Sequence, residues 1–171
     1  MKLYWKVALF TAIASAAWGQ SSFSSETKII WDGVKGNILK SAEKMPEENY
    51  SFKPTPEVRS FGQILGHGAD SYYLFCSAVK GEERQPGEIE KSKTTKGDLI
   101  AALKEATEYC EPLYKKTTEE IIGQKVKSFG RERTAAYVLS FNIAHTFEHY
   151  GNLVTYLRIK GLVPPSSETN R

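Results

Sequence analysis

Four separate segments of this 171-residue chain place apolar residues at steps of three and four, and this pattern most constrains the fold. Such steps bring the apolar side chains onto one face of an α-helix. The sequence predicts helices over residues 25–45, 60–79, 95–123 and 134–160. No convincing series of strands accompanies them, so the helices have only one another to pack against. We therefore expect an all-α four-helix bundle.

Residues that begin or break helices separate these segments. Pro46 ends the first helix because proline lacks the amide hydrogen that a helix needs. Ser60 and Gln63 form a capping box that begins the second helix, and Gly161 suits the end of the fourth. Pro112 lies inside the third segment and predicts a kink or a break there. The connections before the second and third helices are long enough to cross a bundle, so connection length leaves the topology open.

The first twenty residues have the order of a secretory signal. Two lysines precede a short apolar stretch, and small residues follow it. The stretch is too short for a bilayer, which needs ~20 apolar residues. An uncleaved anchor or a buried first helix is the alternative. We predict a signal peptide over residues 1–20, the bundle domain over 21–165 and a C-terminal tail over 166–171. The mature protein would be periplasmic or secreted, with no stable membrane span.

The charge of the chain gives no indication of a nucleic-acid partner. The formal net charge is +3, and lysines and arginines are scattered along the sequence rather than grouped. A protein that binds nucleic acid usually gathers its basic residues on one face. We therefore exclude nucleic acid as a partner.

The chain has two cysteines, Cys76 and Cys110, which lie on apolar faces of different predicted helices. Export would place them in an oxidising compartment, where a disulfide can form. Free cysteine is also a common core residue. The sequence leaves both states open, and we favour buried free thiols.

The only three histidines are candidates for a metal site: His67, His145 and His149. His145 and His149 are four residues apart, so they share one face of the fourth helix, on its apolar stripe. His67 lies on the second helix. Three neutral imidazoles with an open fourth position are typical of catalytic zinc, and imidazole also suits nickel. We predict one divalent cation, zinc or nickel. The alternative is three hydrogen-bonded core histidines.

Two glycines flank the histidine of the second helix. Gly66 and Gly68 each cost about 1 kcal/mol relative to alanine inside a helix. Such a pair indicates that something approaches the backbone closely. A metal-bound ligand and a tightly packed neighbouring helix are both consistent with it.

The segment from His145 to His149 also matches His-x-x-Glu-His, the inverted zinc-peptidase signature. That signature needs a third ligand further downstream, where Glu168 is the only acid. Glu148 also lies off the stripe that carries the histidines. We interpret the match as accidental.

Histidine ligands usually need an acceptor that fixes the second ring nitrogen. By position, the candidates are Asp70, Tyr73, Asn142 and Glu148. Asp70 lies three residues after His67 and so can face the same way. A solvated surface acid is the alternative for Asp70.

Several motifs together resemble one known family. They are the segment around Trp31 with 42–48, the segments 50–54 and 59–67, His145 to Leu153, and 156–158 with 161–165. The chain resembles the DinB/YfiT-like proteins, which are unrelated to the polymerase that shares the DinB name. The resemblance implies an up-down-down-up four-helix bundle and a metal held by His67, His145 and His149. Many members have glutamine where Asn152 stands.

The resemblance leaves the reaction open, because members include thiol-dependent transferases and isomerases, hydrolase-like enzymes and proteins without known activity. We expect a metalloenzyme of the hydrolase or transferase type that acts on an unknown small molecule. Export argues against the cytosolic thiol cofactors. The alternative is a non-catalytic, metal-binding or stress-related bundle that forms a homodimer. An open cleft lined by Trp31, Tyr72 and Phe141 would favour catalysis, and a closed site a structural role.

Overall fold

The structure, a computed structural model, describes residues 23–83, 87–115 and 118–168. It consists of four long helices, two short helices and one hairpin: α1 (Phe23–Lys44), α2 (Phe61–Lys80), α3 (Ile89–Ser92), α4 (Lys96–Lys115), α5 (Glu119–Gly123), β1 (Lys125–Ser128), β2 (Arg131–Thr134) and α6 (Ala135–Ile159). The all-α bundle predicted from the apolar periodicity is confirmed. The predicted signal peptide, residues 1–20, lies outside the described residues.

Helices α1 and α4 run in opposite directions. Trp31, in the first half of α1, stacks on Tyr114 at the end of α4, with ring centroids 4.5 Å apart. Glu43, at the other end of α1, forms an ion pair with Lys104 in the first half of α4. The two helices are therefore antiparallel neighbours.

Helix α2 is parallel to α4 and antiparallel to α6. Gly62 faces Leu99 near the beginnings of α2 and α4, and Cys76 joins Cys110 near their ends. Cys76, near the end of α2, also lies 3.9 Å from the amide nitrogen of Asn142, in the first third of α6. His67, in the first half of α2, instead meets His145 in the middle of α6. With α1 pointing up, α2 and α4 point down and α6 points up. This is the order that the family resemblance implies.

The cap signals of the sequence begin and end helices as expected. The Ser60 hydroxyl accepts from the Gln63 amide at 3.2 Å, and the Gln63 side chain accepts from the Ser60 amide at 2.9 Å. Gly161 follows α6 with φ of 73°, which favours glycine. Pro112 is accommodated within α4, which ends three residues later at Lys115. The prediction of one helix over 95–123 is wrong, because the Thr118 side chain caps a separate helix, α5.

A short hairpin replaces part of the predicted connection before α6. Strands β1 and β2 pair antiparallel around Phe129 and Gly130, whose φ angles are 49° and 70°. Two successive positive φ values are typical of the tightest hairpin turns. Each strand has only four residues, which is too short for an alternating pattern to stand out.

The two cysteines form a disulfide, so the expectation of free thiols is wrong. Cys76 and Cys110 have Cα atoms 5.5 Å apart and join α2 to α4. The two helices are parallel neighbours, which places these positions opposite each other. Spacing alone could not show that the two thiols meet, because connection length leaves the helix order open.

The described part of the predicted tail packs against the bundle. Residues 165–167 form a short 3-10 helix, and the Ser166 amide donates to the Tyr150 hydroxyl at 2.9 Å. Glu168 forms an ion pair with Lys44 of α1. No helix in the described part of the chain is long and apolar enough to cross a membrane.

Candidate metal centre

The three histidines meet between α2 and α6. The Nε2 atom of His145 lies 3.3 Å from Nε2 of His67 and 3.1 Å from Nε2 of His149. All three potential donor atoms lie within 4.8 Å of one another. Two nitrogens bound to one tetrahedral zinc ion, each at ~2.0–2.1 Å, would be about 3.3 Å apart. The cluster therefore has the spacing of a three-histidine ligand set.

The positions of the protons on the three imidazoles explain why this arrangement suits a cation. A neutral imidazole carries one proton on its two ring nitrogens. Nδ1 of His67 lies 3.2 Å from the Glu90 carboxylate, so it carries the proton and leaves a lone pair on Nε2. His145 Nε2 has two nitrogen neighbours and can donate to only one of them. Two like groups, either two lone pairs or two N–H groups, then face each other across the cluster. A central cation bound by three unprotonated Nε2 atoms would remove that mismatch.

The surroundings keep the three imidazoles in the neutral form that binds metals. Burial, followed by the neighbouring His145 and His67, lowers the pKa of His149 to about 3. Burial and the charge of Arg59 lower the pKa of His67. Burial and the nearby His67 lower the pKa of His145. A proton therefore competes weakly for these nitrogens near neutral pH.

Glu90 fixes the ring of His67, although no pattern in the sequence pointed to this residue. One carboxylate oxygen of Glu90 lies 3.2 Å from His67 Nδ1, and the other accepts from Arg59 Nε at 2.8 Å. Glu90 belongs to α3, within a polar segment that the sequence predicts to be an irregular connection. A four-residue helix leaves no periodic pattern, so only the glycines of α2 pointed to a close neighbour.

The short helix α3 is fastened to α2 by an aspartate and two glycines. The Asp70 carboxylate accepts from the backbone amides of Ile89 and Glu90, at 3.1 and 3.0 Å. A Cβ atom on Gly66 would lie 2.7 Å from the Glu90 Cα atom, and one on Gly87 would lie 1.9 Å from an Asp70 oxygen. The close approach indicated by Gly66 is therefore the backbone of α3. A Cβ atom on Gly68 would make only ordinary contact, 4.0 Å from a Leu103 methyl group.

Of the four residues proposed to orient the imidazoles, Asp70 and Asn142 form their hydrogen bonds with other groups. Asp70 binds the backbone of α3, as described, and the buried Asn142 amide donates to the Tyr114 hydroxyl at 2.9 Å. The Tyr73 ring lies 5.1 Å from that of Tyr109, and Glu148 is exposed. Within the described residues, the buried Nδ1 atoms of His145 and His149 have no hydrogen-bond partner.

A cleft of about 660 Å³ opens beside the histidine cluster. His149 lies in its wall together with charged and polar side chains, among them Lys53, Glu57, Arg59, Glu90, Glu148 and Asn152. The aromatic lining expected from the sequence is wrong for Trp31 and Tyr72. Both are 1% exposed or less and pack in the core, where their rings are 5.1 Å apart. The exposed Phe141 packs against the buried Phe75 and the exposed Phe129.

Comparisons with solved structures find the same bundle in several proteins. A DinB-like protein from Bacillus cereus ATCC 10987 superposes with a TM-score of 0.71 at 17% identity, over 82% of this chain and 95% of that one. The DinB-like protein YjoA from Bacillus subtilis gives 0.69 at 25% identity, over 85% and 99%. A mycothiol-dependent maleylpyruvate isomerase gives 0.65 at 13% identity, over 78% of this chain and 63% of the isomerase. At 13 and 17% identity, the likeness shows the fold alone.

Sequence comparison gives the family. The YjoA protein of Bacillus subtilis (strain 168) is 30% identical over 123 residues, which cover 70% of this chain and 79% of YjoA. A sequence model of the DinB family matches residues 26–171, which include all three histidines. The chain therefore belongs to the DinB family.

Proposed function

We propose that this DinB-family protein is a metalloenzyme that holds one divalent transition-metal ion through His67, His145 and His149. The observation that carries the proposal is the convergence of the three Nε2 atoms beside a cleft in whose wall His149 lies. A catalytic zinc site typically has three protein ligands and leaves further positions for water or substrate. Zinc and nickel are the ions that we propose, since imidazole suits both.

The residues around the cluster support this function in separate ways. Glu90 holds the proton of His67 on Nδ1, which leaves Nε2 free to bind a cation. Burial keeps all three rings neutral. The cleft gives a small molecule access to His149. When bound, the ion would supply Lewis-acid chemistry or a water of lowered pKa.

For the reaction, we propose hydrolase or transferase chemistry on a small molecule. The fold is compatible with a thiol-dependent isomerase, as the mycothiol-dependent enzyme illustrates. At 13% identity, that activity cannot be transferred to this chain. We also propose that residues 1–20 direct the export of the protein. A cytosolic thiol cofactor would not reach an exported protein.

A second candidate function is a non-catalytic metal site in a homodimeric bundle protein. The buried Nδ1 atoms of His145 and His149 favour it, because within the described residues no acceptor orients either ring. Catalysis depends on ligands held in a defined orientation, and acceptors of this kind normally supply that orientation. The two functions differ in whether an exogenous ligand can reach the ion.

Elemental analysis of the protein purified from its native compartment tests the site. We expect about one equivalent of zinc or nickel in the wild type and far less in H145A, because three ligands are needed to hold the ion. E148Q is the matched control, since Glu148 is an exposed neighbour on the same helix, and it should retain the ion. Equal metal content in the wild type and H145A would refute the proposal.

A further inference from the structure

Arg59 is held in the cleft wall at two points. Its backbone carbonyl accepts from the hydroxyl of Tyr156, a buried residue of α6, at 2.7 Å. Its guanidinium Nε donates to the Glu90 carboxylate at 2.8 Å. The side chain is 44% exposed, so it remains accessible from the cleft. A ligand would therefore meet a guanidinium that is already ordered, which reduces the entropy lost on binding.

The outer edge of the same guanidinium is available. Among the residues that the structure describes, Glu90 is the hydrogen-bond partner of the Arg59 side chain, through Nε. The two Nη groups have no such partner there. An arginine fork matches the planar, two-oxygen geometry of a carboxylate and binds it through paired hydrogen bonds.

The position of Arg59 relates it directly to the histidine cluster. The Glu90 carboxylate that binds Arg59 also binds His67, so one side chain separates the guanidinium from a ligand imidazole. His149 and Arg59 line the same cleft. One small molecule in the cleft can therefore contact both the cluster and the guanidinium.

The other charges of the cleft select among anions. Lys53 is the second cation in the lining, and Glu57 and Glu148 are acids that face the same space. Repulsion from these two acids disfavours a multiply charged group such as a phosphate. A single carboxylate carries one charge and fits the fork of Arg59.

We propose that Arg59 binds the carboxylate of a small-molecule substrate whose second polar group reaches the ion held by the three histidines. The inference rests on the proposed metal function and names the substrate class of that site: a monocarboxylate that also carries a metal-binding group. Arg59 is the residue that selects it.

Two thiol probes test this in the cobalt-substituted protein. The probes are 3-mercaptopropionate and its neutral amide, and each reports binding through the thiolate-to-cobalt absorption band. Zinc-type sites accept thiolate ligands. In the wild type we expect the carboxylate probe to bind more tightly. In R59Q the ratio of the two dissociation constants should fall about tenfold or more, as for the loss of a charge-assisted hydrogen bond.

The controls separate Arg59 from the metal and from general charge. K53Q removes the other cation of the cleft and should lower the ratio much less than R59Q does. Cobalt content is measured for every variant. If R59Q binds no cobalt, R59K replaces it, because lysine keeps the charge without the fork. R59K should lose part of the preference for the carboxylate probe. The same ratio in wild type and variants that retain cobalt would overturn the role of Arg59. No absorption band with either probe would instead refute the open metal site, and the carboxylate proposal with it.

Discussion

At the scale of single residues, Glu90 determines how His67 is presented to the cluster. Its carboxylate binds His67 Nδ1 on one side and Arg59 on the other. A carboxylate behind a histidine ligand fixes its tautomer and raises its basicity. We therefore expect Glu90 to act on the proposed metal ion through His67.

Replacing Glu90 by glutamine keeps the shape of the side chain and removes its charge. We expect E90Q to lower the affinity for zinc by about 10- to 100-fold, the usual effect of losing such a partner. Competition against a chromophoric chelator measures this. E148Q, which removes an exposed acid from the same cleft, should bind zinc as the wild type does. An equal loss in both variants would show a general charge effect in place of a specific contact.

The sequence was sufficient to predict the three clustered histidines and insufficient to predict the residues that contact them. His145 and His149 are four residues apart on one helix, which is a local relation that spacing reveals. Glu90 reaches His67 across a contact between two helices, and nothing in the spacing of residues 67 and 90 indicates it. Asp70 was predicted to accept from an imidazole. It lies on α2 near His67, but its carboxylate binds the backbone amides of α3.

At the scale of elements, α3 is the part of the fold that brings Glu90 to the site. It lies so close to α2 that a Cβ atom on Gly66 would meet the Glu90 backbone at 2.7–2.9 Å. Backbone atoms cannot move aside as a flexible side chain can. Gly66 and Gly68 therefore have different roles, although they are only two residues apart in sequence.

Alanine substitution at the two positions should give opposite results. G66A should push α3 away from α2, lower the melting temperature and weaken zinc binding through the displaced Glu90. G68A meets only ordinary contact with Leu103 and removes a helix-interior glycine, so it should stabilise the protein by up to about 1 kcal/mol. Thermal unfolding and zinc titration of both variants measure these effects. If G66A matches G68A in both, α3 does not pack as tightly as described.

The elements that sequence predicted and those it missed differ in length. The four long helices repeat their apolar stripe over several turns, so periodicity reveals them. Helix α3 has four residues, which is about one helical turn. Each strand of the hairpin also has four residues, which is only two repeats of the alternating pattern of a strand. The division of the third predicted segment into α4 and α5 depends on a local cap at Thr118 that the surrounding pattern obscured.

At the scale of the whole molecule, the disulfide connects α2, which carries His67, to α4. Cys76 and Cys110 are both fully buried and lie 34 residues apart in sequence. A crosslink that closes a loop of this length restricts the unfolded chain and stabilises the folded one by about 4 kcal/mol in the chain-entropy estimate. The sequence could not decide whether the two cysteines are joined, because connection length does not reveal which helices are neighbours.

The redox state of these cysteines connects stability with the proposed export. When the protein is isolated and denatured in the presence of an alkylating reagent, we expect the reagent to leave Cys76 and Cys110 unlabelled. An exported chain meets an oxidising compartment, where the two thiols form a disulfide. We also expect C76A/C110A to lose about 2–4 kcal/mol of unfolding free energy, measured by urea denaturation. A reductant should lower the stability of the wild type and leave the double variant unchanged, which separates the crosslink from the effect of the substitutions on packing. Labelled thiols in freshly isolated protein would contradict both the disulfide and the oxidising compartment. The crosslink is buried between packed helices, so free thiols would mean that the chain folded in a reducing environment.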